Sequence, residues 1–255
     1  MTRRFLSAVK AASWHLGASA LIGATAAALV FRVWYPDGLH ALTGGGALFL
    51  ILMVVDVVCG PVLTLVLYNP DKPRHLWRID LALIVLVQLG ALGFGLQQVA
   101  TARPIYLAFE GDRFRVVQSM DISDGALADA PADLRNKPLL GPEPLGVRLA
   151  RPGDEDYLAS VQLSLQGMHP ALRPSRWQSY ASFHNEVVSV ARPLEALASK
   201  GEKERIAVDA GLRELGMAAS ELVYLPLVRD VVTDWVVVIT RHDAQPVAFW
   251  HLDGW

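Results

Sequence analysis

The apolar stretch at residues 48–67 limits most strongly what this chain can fold into. As a helix rising about 1.5 Å per residue, about 20 apolar residues cross the ~30 Å hydrocarbon core of a membrane. Asp56 lies in the middle of the stretch, and Gly60-Pro61 follows one helical turn later. An ionisable carboxyl at that depth costs free energy and points to a function, while a proline removes one helical N–H donor. The stretch therefore predicts a transmembrane helix with one unusual face.

That face carries Asp56, Gly60, Pro61 and Thr64, which helical spacing brings onto adjoining positions. We expect it to contact another helix rather than lipid, because glycine permits close approach and the carboxyl offers a hydrogen bond. A functional role for the Asp56 carboxyl and a purely structural hydrogen bond are both open. No second titratable group is expected at similar depth, which argues against a proton path through this chain alone.

Two further apolar spans flank the stretch. Residues 1–102 are therefore predicted to form a membrane domain with transmembrane helices at about 12–33, 46–68 and 79–100. The first span ends at Trp34 and Tyr35, aromatic residues typical of a membrane interface. A cleaved signal peptide is the alternative, since Ala18-Ser19-Ala20 resembles a cleavage site, but the length of the span favours an uncleaved helix.

Basic residues set the predicted orientation through the positive-inside rule. The N-terminal tail carries Arg3, Arg4 and Lys10, the second loop is also basic, and the first loop contains no lysine or arginine. We therefore expect a multi-pass protein of a bacterial inner membrane, with a cytoplasmic N-terminus and a periplasmic C-terminal domain. Asp80, in the first turn of the third span, is expected either to pair with a basic residue of the second loop, such as Lys72, or to be an exposed interfacial polar group.

Residues 103–255 contain most of the charge and are predicted to form one periplasmic α+β domain. The turn signal Glu110-Gly111-Asp112 predicts a hairpin between strands at 105–109 and 113–118. Three strands are predicted to close the chain. The continuously apolar residues 235–239 are expected to form a central strand that is buried on both faces.

Three helices are predicted within this domain. One follows Asp154-Glu155-Asp156, where apolar residues recur at helical spacing up to about Gly167. The capping-box pattern of Ser175 and Gln178 predicts a second helix that runs toward Ala191, and residues 202–215 are predicted to form a third. Two aromatic residues of the second predicted helix, Trp177 and Tyr180, are expected to belong to the core rather than to a ligand platform.

No motif with a known chemistry stands out, because the sequence contains no nucleophile elbow, P-loop, dinucleotide fingerprint or paired metal-binding histidines. His242, Asp243, His251 and Asp253 are the best candidates for a metal or acid–base site, but their spacing is not that of a ligand set. We therefore expect no enzyme activity, no catalytic residue, no metal and no cofactor. The net charge of −2 also argues against nucleic acid as a partner.

Several segments carry a family resemblance: residues 55–65, the turn Asn69-Pro70-Asp71-Lys72-Pro73, Asp80 and residues 102–117. Together they resemble the TfpX/TfpZ family of type IV pilin accessory (fimbrial assembly) proteins. The resemblance implies an inner-membrane protein with a periplasmic part and a chaperone-like, non-catalytic role in pilin assembly or pilus dynamics. The implied partner is a type IV pilin, major or minor, beside membrane lipid. The family supplies no active site to carry across, and the oligomeric state stays open.

A mechanistic hypothesis follows from this resemblance. The face of Asp56 and Gly60 would receive a helix, either the chain's own third span or that of a pilin, while the outer domain contacts the pilin head. Two linked contacts of this kind raise avidity through effective concentration. Two other functions stay as alternatives: a membrane-anchored periplasmic sensor, which would need a separate cytoplasmic partner, and a membrane enzyme acting on lipid or glycan, which would need a catalytic cluster.

Overall fold

The computed structural model describes residues 2–255, with side chains from Arg4 onward, so Arg3 of the basic tail lies outside the described side chains. The chain forms two compact units. The helix unit contains the residues up to Val33 together with Gly44–Ala102, and the sheet unit contains Trp34–Thr43 together with Arg103–Trp255. The segment Trp34–Thr43, assigned from the sequence to the membrane domain, packs with the C-terminal residues because Leu39 and Leu42 are buried in the sheet unit's core.

The helix unit has three long helices among the described residues. Helix α1 (Thr2–Leu29) continues through a π-helical turn (Val30–Trp34), and α3 (Gly45–Leu67) and α4 (Arg74–Thr101) follow. Each is long and apolar enough to cross a membrane. The first and third begin earlier than predicted, because polar residues ahead of each apolar span continue the helix. Three N-terminal transmembrane helices followed by an α+β unit confirm the predicted fold class.

The helix unit is held together around α3, against which both α1 and α4 pack. Glycine allows close packing between α3 and α4. A β-carbon added at Gly95 would lie 2.2 Å from Cδ1 of Leu52, well inside contact distance, so a larger residue would have to displace the Leu52 side chain. The outward side chains of these helices are apolar and exposed, as in Leu50, Val66 and Val87, which suits contact with lipid.

The sheet unit is built on one mixed sheet of eight strands among the described residues. The strands are β1 (Pro104–Phe109), β2 (Phe114–Gln118), β3 (Glu143–Val147), β4 (Trp177–Gln178), β5 (Arg192–Pro193), β6 (Leu222–Arg229), β7 (Val232–Thr240) and β8 (Pro246–Trp250). Their order is β4-β3-β1-β2-β6-β7-β8, and β5 pairs with β6. The pairs β1–β3 and β2–β6 are parallel, and the remaining pairs are antiparallel.

Short helices complete the sheet unit: α2 (Leu39–Leu42), α5 (Tyr157–Leu165), α6 (His184–Val190), α7 (Leu194–Ala198) and α8 (Glu202–Leu215). Strands β1 and β2 are buried along their whole length, and the second half of β7 is equally buried. Leu39 and Leu42 join Phe109, Phe114 and Val237 in one core cluster, so the segment after the first span is part of this fold.

Most of the predicted elements of this unit are confirmed. The hairpin β1–β2 forms with Gly111 at φ +81°, a backbone conformation that glycine adopts without strain. Helix α8 ends at Gly216, which has φ +64° and caps the helix in the left-handed conformation. Strand β7 lies between β6 and β8, in the central position expected from its continuously apolar residues.

The helix predicted from Ser175 toward Ala191 is wrong in its first half, whereas α6 (His184–Val190) forms within its second half. Trp177 and Gln178 form β4, which pairs with β3, and a short 3₁₀ turn comes before it. The indole N–H of Trp177 donates to the carbonyl of Ala171 at 2.8 Å, and the ring is 1% exposed, so tertiary burial outweighs the local capping pattern. Trp177 and Tyr180 are core residues as predicted, although neither lies on an α-helix.

The sheet has two ends, defined by its register. At the entry end β1 begins and β2 finishes, because Pro104 pairs with Gln118. The parallel strand β3 also begins at this end. At the opposite, hairpin end lies the turn between β1 and β2, and β3 leaves the sheet there at Val147 on its way to α5.

Candidate functional site

The predicted contact face of α3 is buried within the helix unit. Asp56 and Thr64 are each 6% exposed, and Gly60 and Pro61 are buried between them. Leucines at neighbouring positions of the same helix, such as Leu63, are largely exposed. The predicted face of α3 therefore contacts protein, whereas many of the large apolar residues of the helix face outward; Phe49, which is 4% exposed, is an exception.

A network of hydrogen bonds joins this face to both neighbouring helices. Nδ1 of His15 on α1 lies 2.5 Å from the hydroxyl of Thr64, and Nε2 of His15 lies 2.7 Å from Oε1 of Gln88 on α4. Nε2 of Gln88 donates to the backbone carbonyl of Asp56 at 2.8 Å. Every long helix of the unit thus contributes to one polar site.

The network defines a tautomer for the neutral imidazole. Because the amide N–H of Gln88 donates to a carbonyl, its oxygen accepts from Nε2–H of His15, and Nδ1 then accepts from the hydroxyl of Thr64. A protonated imidazole is also satisfied, since the hydroxyl oxygen of Thr64 accepts a bond as readily as the hydroxyl donates one. The arrangement therefore ties three helices together in either protonation state of His15.

Gly60 makes room for the amide of Gln88. A β-carbon added at this glycine would lie 2.2 Å from Nε2 of Gln88, so any larger residue displaces the amide from its two hydrogen bonds. Pro61 follows on the same buried face, inside the helix. Gly60 and Pro61 thus form the part of α3 against which α4 packs the polar side chain of Gln88.

The Asp56 carboxyl adds an unusual feature to this site. Its Oδ1 atom is buried and has no hydrogen-bond partner among residues 4–255. An unpaired buried acceptor costs free energy, so the surrounding contacts must hold it there. The backbone carbonyl of Asp56, by contrast, accepts a hydrogen bond from Nε2 of Gln88.

Two members of the site, His15 and Gln88, were not predicted from the sequence. The sequence analysis expected no second titratable group at the depth of Asp56, and His15 contacts the same face of α3 at Thr64, about two helical turns from Asp56. His15 stands near the start of its apolar span, where an interfacial position was the simpler interpretation. The detectable signal was Gln88, a polar amide in the middle of an otherwise apolar span.

Asp80 lies at the edge of the same helix unit. The ammonium of Lys72 bonds its carboxylate, which is one of the two alternatives left open by the sequence. Asp80, His15 and Thr64 also line a groove of about 460 Å³ between α1, α3 and α4, whose remaining walls are mainly apolar and include Trp14 and Trp77. The polar site therefore continues into a groove within the helix unit.

In the sheet unit, α5 has an inverted distribution of side chains. Its apolar residues Leu158 (78% exposed), Val161 (41%) and Leu165 (85%) form one exposed stripe. Ser160 is buried on the opposite side, where its hydroxyl accepts from Nη2 of Arg173 at 2.8 Å. The apolar residues whose spacing predicted this helix thus face outward. We call Leu158, Val161 and Leu165 the α5 stripe.

The α5 stripe lies at the hairpin end of the sheet. The backbone N–H of Ala171, shortly after α5, donates to Oε1 of Glu110 in the β1–β2 turn at 2.9 Å. Glu110 in turn pairs with Arg115 at 2.9 Å, and both side chains are 7% exposed. A shallow groove of about 400 Å³ runs beside the stripe and is lined by Val161 and Leu165 among mainly apolar residues.

The four residues considered for an acid–base site are not brought together. Nε2 of His251 bonds Asp234 at 2.8 Å, and the His251 ring stacks on Trp235. Among the ion pairs of the described side chains, His242 pairs only with its neighbour Asp243. The hydrogen bond from His251 lowers the pKa of Asp234, and the hydroxyl of Thr240 does the same for Asp243. In the part of the chain that the structure describes, no three His, Cys, Asp or Glu side chains form a metal-binding group.

Comparisons with known proteins point to one family. A family model described as fimbrial assembly protein FimB matches residues 3–44, a region that includes His15. The fimbrial assembly proteins of serogroups I and E1 from Dichelobacter nodosus are each 32% identical to this chain over 241 residues, covering 94% of the chain and 93% of each relative. A third relative, of serogroups C1 and C2, is 38% identical over 120 residues, covering 47% of the chain and 92% of that relative. No solved structure matches the chain.

Proposed function

Since the chain belongs to the family of fimbrial assembly proteins, we propose that it acts in pilus assembly as a non-catalytic membrane accessory protein that contacts type IV pilin. The family accounts for the role in pilus assembly, and the contact with pilin is the step that we add. The observation that carries this step is the α5 stripe. Exposed apolar side chains combined with a buried serine on the same helix are expected where a partner covers the apolar side.

The proposed location is the bacterial inner membrane, with the N-terminus in the cytoplasm and the sheet unit in the periplasm. The distribution of lysine and arginine supports this orientation. The shared core of Trp34–Thr43 and Arg103–Trp255 supports the number of crossings, because three spans leave the first loop and the C-terminal residues on the same side.

Inside the membrane, we assign a different task to the polar site. The face of Asp56, Gly60 and Thr64 is covered by α1 and α4 of the same chain, so it is not free to receive a pilin helix. Its proposed role is to fix the three helices relative to one another. The pilin contact is therefore assigned to the α5 stripe, against the globular head that a pilin holds outside the membrane.

Photo-crosslinking in living cells tests this contact. A photoreactive residue placed at Leu158 or Leu165 is expected to trap pilin. The same residue at Leu139 or Leu140, which are 76% and 72% exposed at the entry end of the sheet, is expected to trap little or none. Equal adducts at both pairs of positions, or none at Leu158 and Leu165 in cells that still make pili, would refute the assignment.

A genetic measurement complements the crosslinks. Leu158→Ser combined with Leu165→Ser should reduce the number of surface pili, while the amount of protein in the membrane stays unchanged. Substitutions at such exposed positions usually change stability by no more than about 0.5 kcal/mol, so a loss of pili would not reflect unfolding. Normal piliation of the double variant would count against the proposed contact.

A further inference from the structure

A second set of exposed apolar side chains lies outside the α5 stripe. Met120, Leu139, Leu140 and Val231 are 65%, 76%, 72% and 92% exposed. They occupy three different loops: the turn after β2, the loop before β3 and the turn between β6 and β7. Because three separate loops each expose a large apolar side chain, we infer that together they form one binding surface.

Hydrogen bonds and register place all three loops at the entry end of the sheet. The N–H of Ser119, next to Met120, donates to the carbonyl of Arg103 at 2.9 Å. Nη2 of Arg103 donates to the carbonyl of Pro138, next to Leu139, also at 2.9 Å. Met120 and Leu139 are therefore both tied to Arg103, the residue at which the chain enters β1.

The third loop is fixed to the same end by Arg229. Its Nη2 atom lies 3.0 Å from Oδ1 of Asp121 and 2.6 Å from Oε1 of Gln118. Gln118 also donates to the carbonyl of Thr43 at 3.4 Å. Val231, two residues after Arg229, thus belongs to the end at which the chain leaves the sheet unit before α3 and returns to it after α4.

The covalent chain brings a lipid surface to this end. Helix α4 finishes at Thr101, and two residues extend at most about 7 Å, so Arg103 stays close to the membrane boundary. Helix α3 begins at Gly45, two residues after Thr43, so Thr43 also stays close to the membrane boundary. Such tethering gives lipid a high effective concentration at the entry end, which no soluble partner shares.

We propose that the entry end of the sheet unit is a lipid-binding surface, with Met120, Leu139, Leu140 and Val231 inserted into the headgroup region. The attraction is apolar rather than electrostatic, because two basic side chains near this surface are already paired with carboxylates: Arg229 with Asp121 at 3.0 Å, and Lys137 with Asp124 at 2.9 Å. The surface therefore holds zwitterionic and anionic lipids equally well. Its function is to fix the orientation of the sheet unit on the membrane.

Site-specific fluorescence in the full chain tests this proposal. In a Cys59→Ala background, single cysteines at 139, 140 and 231 carry an environment-sensitive dye, and the protein is reconstituted into phosphatidylcholine vesicles. We expect strong quenching by spin-labelled lipid and protection from aqueous iodide. Cysteines at 158 and 165 serve as matched controls, since these leucines are as exposed but lie at the hairpin end.

The controls are expected to show the opposite pattern, with iodide quenching several-fold stronger than lipid quenching. The proposal is overturned if the dyes at 139, 140 and 231 respond to iodide as the controls do, or if both quenchers fail to reach them because protein covers the surface. Vesicles that also contain phosphatidylglycerol should leave the lipid quenching unchanged. A requirement for the anionic lipid would overturn the apolar mode of binding.

Discussion

The two units of this protein use opposite distributions of polar and apolar side chains. In the sheet unit, β1, β2 and most of β7 are buried, and their side chains are mainly apolar apart from Arg115 and Gln118 of β2. In the helix unit, leucines and valines are on the outside, while Asp56, Thr64 and Ser19 are among the buried residues. Lipid takes the place of a core for the helices, so contacts between them depend on small residues and hydrogen bonds.

This difference gives meaning to α5. It belongs to the sheet unit, yet its leucines point outward and Ser160 points inward, as in the helix unit. Water does not favour such an arrangement, because about 1.5–3 kcal/mol is gained for each large apolar side chain that becomes buried. A partner that covers Leu158 and Leu165 restores the ordinary distribution, which is the physical basis for assigning a contact to this helix.

The largest expected effect concerns the buried ion pair of the sheet unit. Glu110→Ala removes the partner of Arg115 and the acceptor for the N–H of Ala171. An uncompensated buried charge costs about 3–5 kcal/mol, so the variant should unfold at much lower urea concentration. Proteolysis of the sheet unit at increasing urea, with the full chain held in detergent, measures the change.

Asp112→Ala is the matched control, two residues away in the same turn. Its partner Arg113 lies at 2.7 Å, but the two side chains are 60% and 35% exposed. Exposed pairs contribute ~0.2–1 kcal/mol, so this variant should behave nearly as the parent protein. Similar losses in both variants would show that the turn itself, rather than the burial of the pair, determines the stability.

A smaller effect is expected from the polar network of the helix unit. His15→Leu and Gln88→Leu each break hydrogen bonds between helices, and both residues share the bond between Nε2 and Oε1. Couplings of this kind in membranes average about 0.6 kcal/mol and reach about 1.7 kcal/mol. A double-mutant cycle, measured by unfolding the helices in mixed dodecyl sulfate micelles, should return a coupling energy in that range.

Gln97→Leu on the same helix is the control for this cycle, because its side chain is exposed. It should leave the stability of the helix unit nearly unchanged and show no coupling to His15→Leu. Full additivity of His15→Leu and Gln88→Leu would mean that the bond between Nε2 and Oε1 adds nothing to the stability of the helix unit. That bond would then not be one of the contacts that hold the helices together.

Sequence patterns of fixed period predicted most of the elements in both units. The three spans, the β1–β2 hairpin and β7 follow from apolar length or alternation, which local residues alone determine. The partners of Asp56's face did not follow, because His15 and Gln88 meet α3 only after three helices pack. The strand at Trp177 was missed for a related reason: its pairing with β3 is non-local and outweighs a local helix-start pattern.

The same distinction applies to α5, whose existence was predicted but whose exposed face was not. Helical spacing of Leu158, Val161 and Leu165 identifies an amphipathic helix without saying which side the rest of the chain covers. Arg173 bonds Ser160 and so holds the serine side of α5 against the domain. The buried face of α5 is therefore determined by a polar side chain outside the helix, which the helical spacing alone does not reveal.

The smallest expected effect is a pH dependence at the surface of the sheet unit. The hydrogen bond from His251 lowers the pKa of Asp234, so the folded state binds a proton less readily than the unfolded chain. The pair therefore stabilises the fold above the unfolded pKa of about 3.9, and this contribution is lost as the pH falls through the lower folded pKa. Because both side chains are more than half exposed, the contribution should lie at the low end of ~0.2–1 kcal/mol.

Urea midpoints of the parent protein and of Asp234→Asn should differ slightly near neutral pH and converge in acid. If the difference between the two midpoints instead grows as the pH falls, a group other than Asp234 provides the stabilisation. The pair of Asp234 and His251 could then not serve as the exposed counterpart of the buried pair of Glu110 and Arg115.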